Sequence, residues 1–147
     1  KQRPLFAKEG SQTVRYEVSD NFLRFWFRYI ERNRTLIELG NYEGLSKLIN
    51  DDYPTYSGKT LELYFKQKLQ ESFEYRAIGS WWEPKGDQNE VDIVAITLDN
   101  KKALVAEVKR QKKNFKPQLL ESKIEVLKNK VLNKYEVNSF CLDIEDM

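Results

Sequence analysis

The stretch Gly79–Lys109, which reads GSWWEPKGDQNEVDIVAITLDNKKALVAEVK, decides the fold. Two apolar runs in it, 91–98 and 103–108, flank the polar residues 99–102. Runs rich in Val, Ile and Ala on either side of an Asp-Asn turn are typical of a β-hairpin. Alternate residues share a face of a strand, and both faces of these runs are largely apolar, which is typical of strands covered on both sides. We therefore predict two adjacent, buried strands.

Charged residues interrupt this apolar hairpin. Asp92 lies inside the first run, and Glu107 and Lys109 end the second. A turn of two or four residues centred on 100–101 gives one register, in which Asp92 lies opposite Lys109. Glu107 is then diagonal to Asp92 at about 7 Å. One divalent cation between the two carboxylates would fit that separation.

Composition limits the kinds of site that the chain can form. The 147 residues predict one domain, and the net charge of +2 requires that any surface for nucleic acid be local. A single cysteine, Cys141, and the absence of histidine exclude an internal disulfide, thiolate metal sites and imidazole ligands. A metal must therefore bind through oxygens, which favours Mg²⁺ or Mn²⁺. No signal peptide or long apolar run is present, so we expect no membrane contact and a cytoplasmic location. Because the chain begins at Lys1 without Met, we expect a fragment of a longer protein.

The first third of the chain predicts a small strand pair and helical segments. Residues 1–18 contain two short apolar runs around a polar turn, which predict two strands. Ser19 or Asp20 can cap a helix over 22–30, whose apolar residues on almost every side predict burial from several directions. Its arginines then line a polar edge. Short helical turns over 35–39 and 43–49, and a linker at 51–54, complete this part.

A second helix is expected to begin at Ser57 and to extend to Tyr75. The helical repeat places Leu61, Phe65, Leu69 and Phe73 on one apolar stripe. Glu62 falls on the buried side of this helix, where an unpaired charge is costly. A metal ion or Lys109 would serve as its partner, and a peripheral ion pair with an arginine is the alternative.

The remaining elements are strands at 75–83 and 137–142 and a helix that begins at Pro117. Between the hairpin and that helix lies a run of basic residues. A phosphate backbone could bind this run, although solvated basic loops are common. The candidate nucleic-acid-binding residues are Arg110, Lys112, Lys113 and Lys116.

Several motifs together carry a resemblance that covers nearly the whole chain. They are YEVSDNFLRFWFRYIERNRTLIE at 16–38, GKTLE at 58–62, GSWW at 79–82, EVDIVA at 90–95 and LVAEVK at 104–109. With them the chain resembles the C-terminal domain of unknown function of the archaeal-type DEXX-box ATPases, which also have bacterial members. An Asp followed after fourteen residues by Glu-x-Lys resembles the active-site pattern of PD-(D/E)XK nucleases.

The resemblance implies an α/β fold with a restriction-endonuclease-like αβββαβ core, a mixed sheet flanked by helices. It divides the chain into the end of a truncated winged helix at 1–18, a helical cap and linker at 19–56, and the nuclease-like core at 57–147. The ATPase and winged-helix portions would belong to the same, longer polypeptide. Other implied partners are DNA and a second copy of the chain in a homo-oligomer.

The resemblance also implies a metal site and a reaction. Asp92, Glu107, Glu62 and the backbone carbonyl of Val108 would hold Mg²⁺ or Mn²⁺, and Lys109 would orient or deprotonate the attacking water. The chain would then be a metal-dependent nuclease (a hydrolase) acting on DNA. The alternative is a catalytically silent nuclease-like fold that serves the ATPase as an interaction, oligomerisation or nucleic-acid-binding module. A third reading is an unrelated α/β domain with a structural ion pair.

Overall fold

The computed structural model describes residues 2–10, 13–83 and 89–147. Within these residues the chain forms four α-helices and four strands in a mixed α/β arrangement. The helices are α1 (Asn21–Phe25), α2 (Arg34–Glu38), α3 (Tyr42–Glu71) and α4 (Pro117–Leu127), with a π-helical turn after α1 (Trp26–Ile30) and another after α4 (Lys128–Leu132). The strands are β1 (Tyr75–Trp81), β2 (Val91–Thr97), β3 (Lys102–Val108) and β4 (Glu136–Leu142). Short 3₁₀ turns occupy Glu31–Asn33, Lys112–Asn114 and Ile144–Asp146.

The four strands form one sheet in the order β1-β2-β3-β4. The first three strands are antiparallel, and β4 lies parallel to β3 after the crossover through α4. A parallel neighbour requires such a crossover connection, and Pro117 begins its helix where the missing N–H is not needed. The predicted hairpin, crossover helix and last strand are therefore present.

The hairpin register differs from the prediction by two residues. Ile93 pairs with Ala106 and Ile96 with Ala103, and continuing this register by one residue places Asp92 opposite Glu107 rather than Lys109. The loop begins earlier than expected because the Thr97 hydroxyl donates to Asp99, at 2.6 Å, and accepts from the Lys102 N–H, at 3.1 Å. Leu98, an apolar residue assigned to the strand, lies in this loop with its side chain exposed.

Helices cover both faces of the sheet. On one face, Leu61 and Phe65 of α3 pack on Ile93, Ala106 and Val108. On the other face the buried residues come from α4 and the adjoining π turn: Leu120, Ile124, Leu127 and Leu132 pack with Val94, Ile96, Ala103 and Val105. Because both faces are covered, the central strands are apolar on each side, as their sequence predicts.

Helix α3 is continuous through the segment that was predicted to be a linker. It extends from Tyr42 to Glu71 with Pro54 inside it, and Asn41 caps its first turn with a 2.9 Å bond from the Gly44 N–H. The linker at 51–54 and a helix start at Ser57 were therefore wrong. The apolar stripe also ends early, because Phe73 lies beyond the helix at φ 56° with 81% of its surface exposed.

The N-terminal segment crosses over β1. Gln2 and Arg15 form an isolated antiparallel bridge in place of the two predicted strands, and the turn predicted at 10–12 lies partly outside the described residues. The Leu5 N–H donates to the Ser80 carbonyl at 2.8 Å. This bond fixes the segment against the edge strand of the sheet. No helix in the described ranges has the length and apolarity that crossing a membrane requires.

The helical segment 21–30 is not buried from several sides, as its sequence predicted. Tyr29 is buried, and its ring lies 5.6 Å from that of Tyr56 on α3. Phe22, Trp26 and Phe27 are exposed at 67%, 40% and 55%. One side of the segment therefore packs on α3, and its aromatic residues on the other sides face solvent.

Candidate active site

A cleft of about 800 Å³ opens beside the ends of β2 and β3, between the segment 21–32, α3 and α4. Both acidic and basic side chains line it. Its carboxylates are Glu17, Glu62, Glu90, Asp92 and Glu107. Its cations are Arg24, Arg28, Arg32, Lys59, Lys109 and Lys123. The cleft therefore brings together the four residues that the sequence proposed for catalysis, in a setting that is close to electrically balanced.

Asp92 and Glu107 form the centre of the acidic group. Their positions are directly opposed on β2 and β3, so both side chains leave the same face of the sheet. One Asp92 oxygen, Oδ2, accepts a 2.8 Å bond from the Val108 N–H. The pKa of Asp92 is raised to about 6, mainly by burial and then by the charges of Glu62 and Glu107, against the opposing effects of the Val108 hydrogen bond and the Lys109 charge. Asp92 thus lies close enough to Glu62 and Glu107 for their negative charges to disfavour its own.

Glu107 is held by two lysines. Lys109 contacts Oε2 at 2.8 Å, and Lys123 of α4 contacts Oε1. Glu107 is only 5% exposed, so both of its carboxylate oxygens form their ion pairs at a site that water hardly reaches. Burial acts to lower the pKa of Lys109, but the hydrogen bond to Glu107 and its charge outweigh burial, and the pKa lies above its ordinary value. The Lys109 ammonium is therefore charged at neutral pH.

Glu62 is half-buried, but its partner is neither Lys109 nor an arginine. Lys59, one turn earlier on α3, binds Glu62 at 2.8 Å and lies 3.5 Å from Glu17. Burial acts to lower the pKa of Lys59, yet the bond to Glu62 leaves it raised. Of the partners expected from the sequence, Lys109 and an arginine were therefore wrong, because Lys59 lies three residues away on the same helix, within reach of the carboxylate. The metal ion stays a prediction.

Lys66 is a site-adjacent residue that the sequence reading missed. Its ammonium donates to the Ser80 hydroxyl at 2.5 Å, and that hydroxyl donates to the Asp92 carbonyl at 3.0 Å. Burial lowers the pKa of Lys66, while the charges of Glu62 and Asp92 act to raise it. Its spacing of four residues from Glu62 was the available signal, since such residues share one side of a helix.

The basic run after β3 does not line the cleft. The Arg110 guanidinium lies over the Tyr53 ring at 5.6 Å, and the Lys112 N–H donates to Asp143 at 3.0 Å. Lys113 and Lys116 are likewise absent from the lining. The cleft draws its arginines instead from positions 24, 28 and 32, which the sequence reading left on a polar edge. Their spacing of four residues was the signal that they share one side of the segment.

Only oxygen donors are available to hold a metal in the cleft. Within 2–10, 13–83 and 89–147, however, no three Asp, Glu, Cys or His groups are arranged closely enough to bind one. The Val108 N–H donates to Asp92, so one of the Asp92 oxygens is already engaged. Lysine side chains form ion pairs with the carboxylates of Glu62 and Glu107, and a metal ion would have to displace these lysines in order to bind.

Comparison with known proteins gives one family and one similar relative. Residues 26–134 match DUF234, described as archaeal and bacterial proteins of unknown function. An uncharacterized protein of Methanocaldococcus jannaschii is 36% identical over 116 residues, which are 74% of this chain and 25% of the relative. The chain thus spans about a quarter of that relative's length. No solved structure matches the chain.

Proposed function

The chain belongs to the DUF234 family of archaeal and bacterial proteins of unknown function, and we propose that its cleft is the site of a metal-dependent phosphodiesterase, a nuclease that acts on DNA. The observation that carries the proposal is the direct opposition of Asp92 and Glu107, with Lys109 bound to Glu107. Two carboxylates on adjoining strands, with a lysine one residue beyond the second strand, can supply oxygen ligands for a metal and a cation for phosphodiester hydrolysis.

The metal ligands in this proposal are Asp92, Glu107, Glu62 and the backbone carbonyl of Val108. Three features support a cation here. The donors are all oxygen, the pKa of Asp92 is raised by burial and then by the charges of neighbouring carboxylates, and its Oδ1 accepts no hydrogen bond from the described residues. Mg²⁺ or Mn²⁺ would polarise the scissile phosphate and lower the pKa of a bound water.

The lysines and arginines have separate roles in the proposal. Lys109, released from Glu107 when a cation binds, orients the attacking water and balances the charge that develops on the phosphate. Lys123 keeps Glu107 in position from α4. Arg24 and Arg32 at the outer wall of the cleft hold the flanking phosphates, since a guanidinium matches the geometry of phosphate oxygens.

The order of elements supports a restriction-endonuclease-like core within this proposal. Helix α3, strands β1 to β3, helix α4 and strand β4 follow one another as in an αβββαβ core. We further propose that residues 1–18 end a winged helix, 19–56 form a cap and 57–147 the core, with the first half of α3 belonging to the cap and the second half to the core. The chain would be the C-terminal module of a DEXX-box ATPase, which is consistent with its covering a quarter of a longer relative.

A second candidate is a silent nuclease-like fold that serves the ATPase as an interaction, oligomerisation or nucleic-acid-binding module. The observation that favours it is the pairing of both Glu107 oxygens with lysines. A permanent ion-pair cluster would give the cleft a structural role. In that case neither Mg²⁺ nor Mn²⁺ would bind there.

Cleavage and metal binding together separate the two candidates. We expect the protein to cut plasmid DNA with Mn²⁺, and Lys109→Ala to abolish cutting while the circular dichroism spectrum is kept. Lys47→Ala, at an exposed position of α3 outside the cleft, is the matched control and should cut normally. Calorimetry should detect Mn²⁺ binding that is lost in Asp92→Asn. If neither cleavage nor Mn²⁺ binding occurs, the silent module is the correct candidate.

A further inference from the structure

The segment 21–30 carries an exposed aromatic surface that the reaction above does not use. Successive residues turn by about 100° around a helix, so residues four apart form strips along it. Phe22 and Trp26 form one strip, with ring centroids 6.0 Å apart. Leu23 and Phe27 form the next. We call these four residues the aromatic face, and each is exposed by 40% or more.

The aromatic face borders the cleft. Phe27 lines it, and the adjacent strip on the same segment carries Arg24 and Arg28, with Arg32 one turn further on. Arg28 is neutralised by Asp52 through bonds of 2.5 and 2.7 Å. Arg24 donates to the side chains of Asn21 and Thr60 and lies over the Tyr56 ring at 5.1 Å. Within the described parts of the chain, neither Arg24 nor Arg32 has a carboxylate at ion-pair distance. Two arginines without an ion pair, Arg24 and Arg32, thus lie beside the aromatic face.

We propose that this segment binds single-stranded nucleic acid, with phosphates on Arg24 and Arg32 and bases stacked on Phe27 and Trp26. The inference rests on the proposed function, because it names the form of nucleic acid that the cleft receives. Proteins that bind single strands pair a positive groove for the backbone with aromatic rings for the bases, and this segment has both next to each other.

The chemistry favours a single strand over a duplex. In a duplex the π-faces of the bases are covered by neighbouring bases, whereas a single strand can present them to exposed rings. It also favours a polyanion over an apolar protein surface, because covering the aromatic face with such a surface would leave Arg24 and Arg32 beside apolar groups without counter-charges. A single strand satisfies the rings and the guanidinium groups together.

The three tryptophans of the chain provide a direct reporter of this contact. Trp81 and Trp82 are buried at 6% and 5% exposure, so Trp26 is the tryptophan that a ligand can stack upon. Titration of the whole chain with oligodeoxythymidine of about 12 nucleotides, in a chelator and without metal, should quench its fluorescence. A duplex of equal length should bind more weakly. Trp26→Phe should keep the affinity, measured with a labelled oligonucleotide, and lose the quench.

Two further variants test the aromatic and cationic strips separately. Phe27→Ala should weaken binding by about 5- to 150-fold, the effect of losing one stacked base. Arg32→Gln should reduce the slope of log affinity against log salt by about 0.7. Phe140→Ala, which removes an exposed ring on β4, is the matched control and should bind as the parent does.

Each outcome decides between this inference and its alternatives. Equal affinity for single strand and duplex, or no effect of Phe27→Ala, would overturn it. A dimer in sedimentation that dissociates in Phe22→Ala, with DNA binding unchanged, would assign the aromatic face to a second copy of the chain and also overturn it. Because the titration contains no metal, its result is independent of cleavage. Duplex cleavage without single-strand binding would therefore leave the proposed function intact and remove only this inference.

Discussion

The carboxylate of Asp92 accepts a 2.8 Å hydrogen bond from the backbone N–H of Val108, so a side chain on β2 completes the hydrogen bonding at the end of β3. The same carboxylate carries a pKa raised to about 6 from an ordinary value of 3.8. The Asp92 carboxylate therefore stabilises the fold by its hydrogen bond between two strands and destabilises it by its buried negative charge. Asparagine, the neutral isostere, separates these two effects because it removes the charge and keeps a hydrogen-bond acceptor.

Asp92→Asn should stabilise the protein at neutral pH. The raised pKa means that the folded state binds more protons than the unfolded state between pH 3.8 and about 6, so stability falls as pH rises through that window and is constant above it. Asparagine keeps an acceptor for the Val108 N–H and has no charge. We expect a gain of up to about 3 kcal/mol at pH 7, and little gain at pH 4, from urea unfolding.

Asp99→Asn is the control for this prediction and should act with the opposite sign. Hydrogen bonds from Thr97 and Lys101 lower the pKa of Asp99, so its charged form stabilises the fold above the ordinary pKa. We expect lower stability at pH 7. A loss of stability at pH 7 in Asp92→Asn, with the pH dependence of the parent retained, would contradict the buried-charge argument.

Lys123→Met should destabilise the fold more than the same change at an exposed pair. It leaves a buried Glu107 oxygen without its ammonium, although Lys109 still holds the other oxygen. We expect a loss of about 1–3 kcal/mol in chemical unfolding. Lys102→Met removes the partner of Glu136 at 3.9 Å, where both side chains are more than half exposed, and should leave the midpoint unchanged. Equal effects of the two changes would mean that Lys123 adds nothing at the cleft.

Two glycine substitutions should shift stability in opposite directions. Gly40 has φ +68° between α2 and α3, and a Cβ there meets nothing within 4 Å. Gly40→Ala therefore costs only backbone strain, about 1–2 kcal/mol. Gly58 lies inside α3 with equal space around it, so Gly58→Ala should gain about 1 kcal/mol. Thermal unfolding of both variants measures the difference, and a stabilised Gly40→Ala would show that this turn is not strained.

Asp52→Asn should loosen the segment 21–30 from α3. Asp52 accepts two bonds from Arg28, at 2.5 and 2.7 Å, and one from the Tyr29 hydroxyl at 2.6 Å. These bonds lower the pKa of Asp52 to about 2, so the contact is fully formed above pH 3.8 and is lost only as pH falls through 2. Hydrogen exchange at pH 7 should show faster exchange over 21–30 in the variant. Asp51→Asn is the matched control, and equal exchange in both variants would exclude the anchoring role.

The strands and the crossover helix were predictable from the sequence. Runs of β-branched residues fit only strands here, and the single apolar stripe after Pro117 fits only a helix. The hairpin register was not predictable in the same way. Leu98 is apolar and was counted in the strand, but side-chain bonds of Thr97 and the positive φ of Asn100 close the loop around it. A hydrophobic pattern alone does not record such local hydrogen bonds.

The course of α3 and the exposure of segment 21–30 were mispredicted for a related reason. Pro54 removes one helical hydrogen bond, a cost of about 3 kcal/mol that made a linker the simpler reading. The packing of Tyr56 on Phe25 and Tyr29 offsets that cost. The many aromatic residues of segment 21–30 predicted its burial, but their number does not specify which rings pack against the rest of the protein. Only Tyr29 of this segment is buried. Of the candidate site, the carboxylates and Lys109 were found from spacing, whereas their lysine partners depended on the tertiary arrangement.

The uninterrupted course of α3 has a mechanical consequence. One rigid rod of 30 residues carries Asp52, which anchors the arginine-bearing wall, and Glu62, which belongs to the acidic wall. A tilt of this helix would therefore move Asp52 and Glu62 together, and the width of the cleft would change together with the spacing of its charged groups. A force applied at either end of the rod would reach the opposite side of the cleft without passing through the sheet.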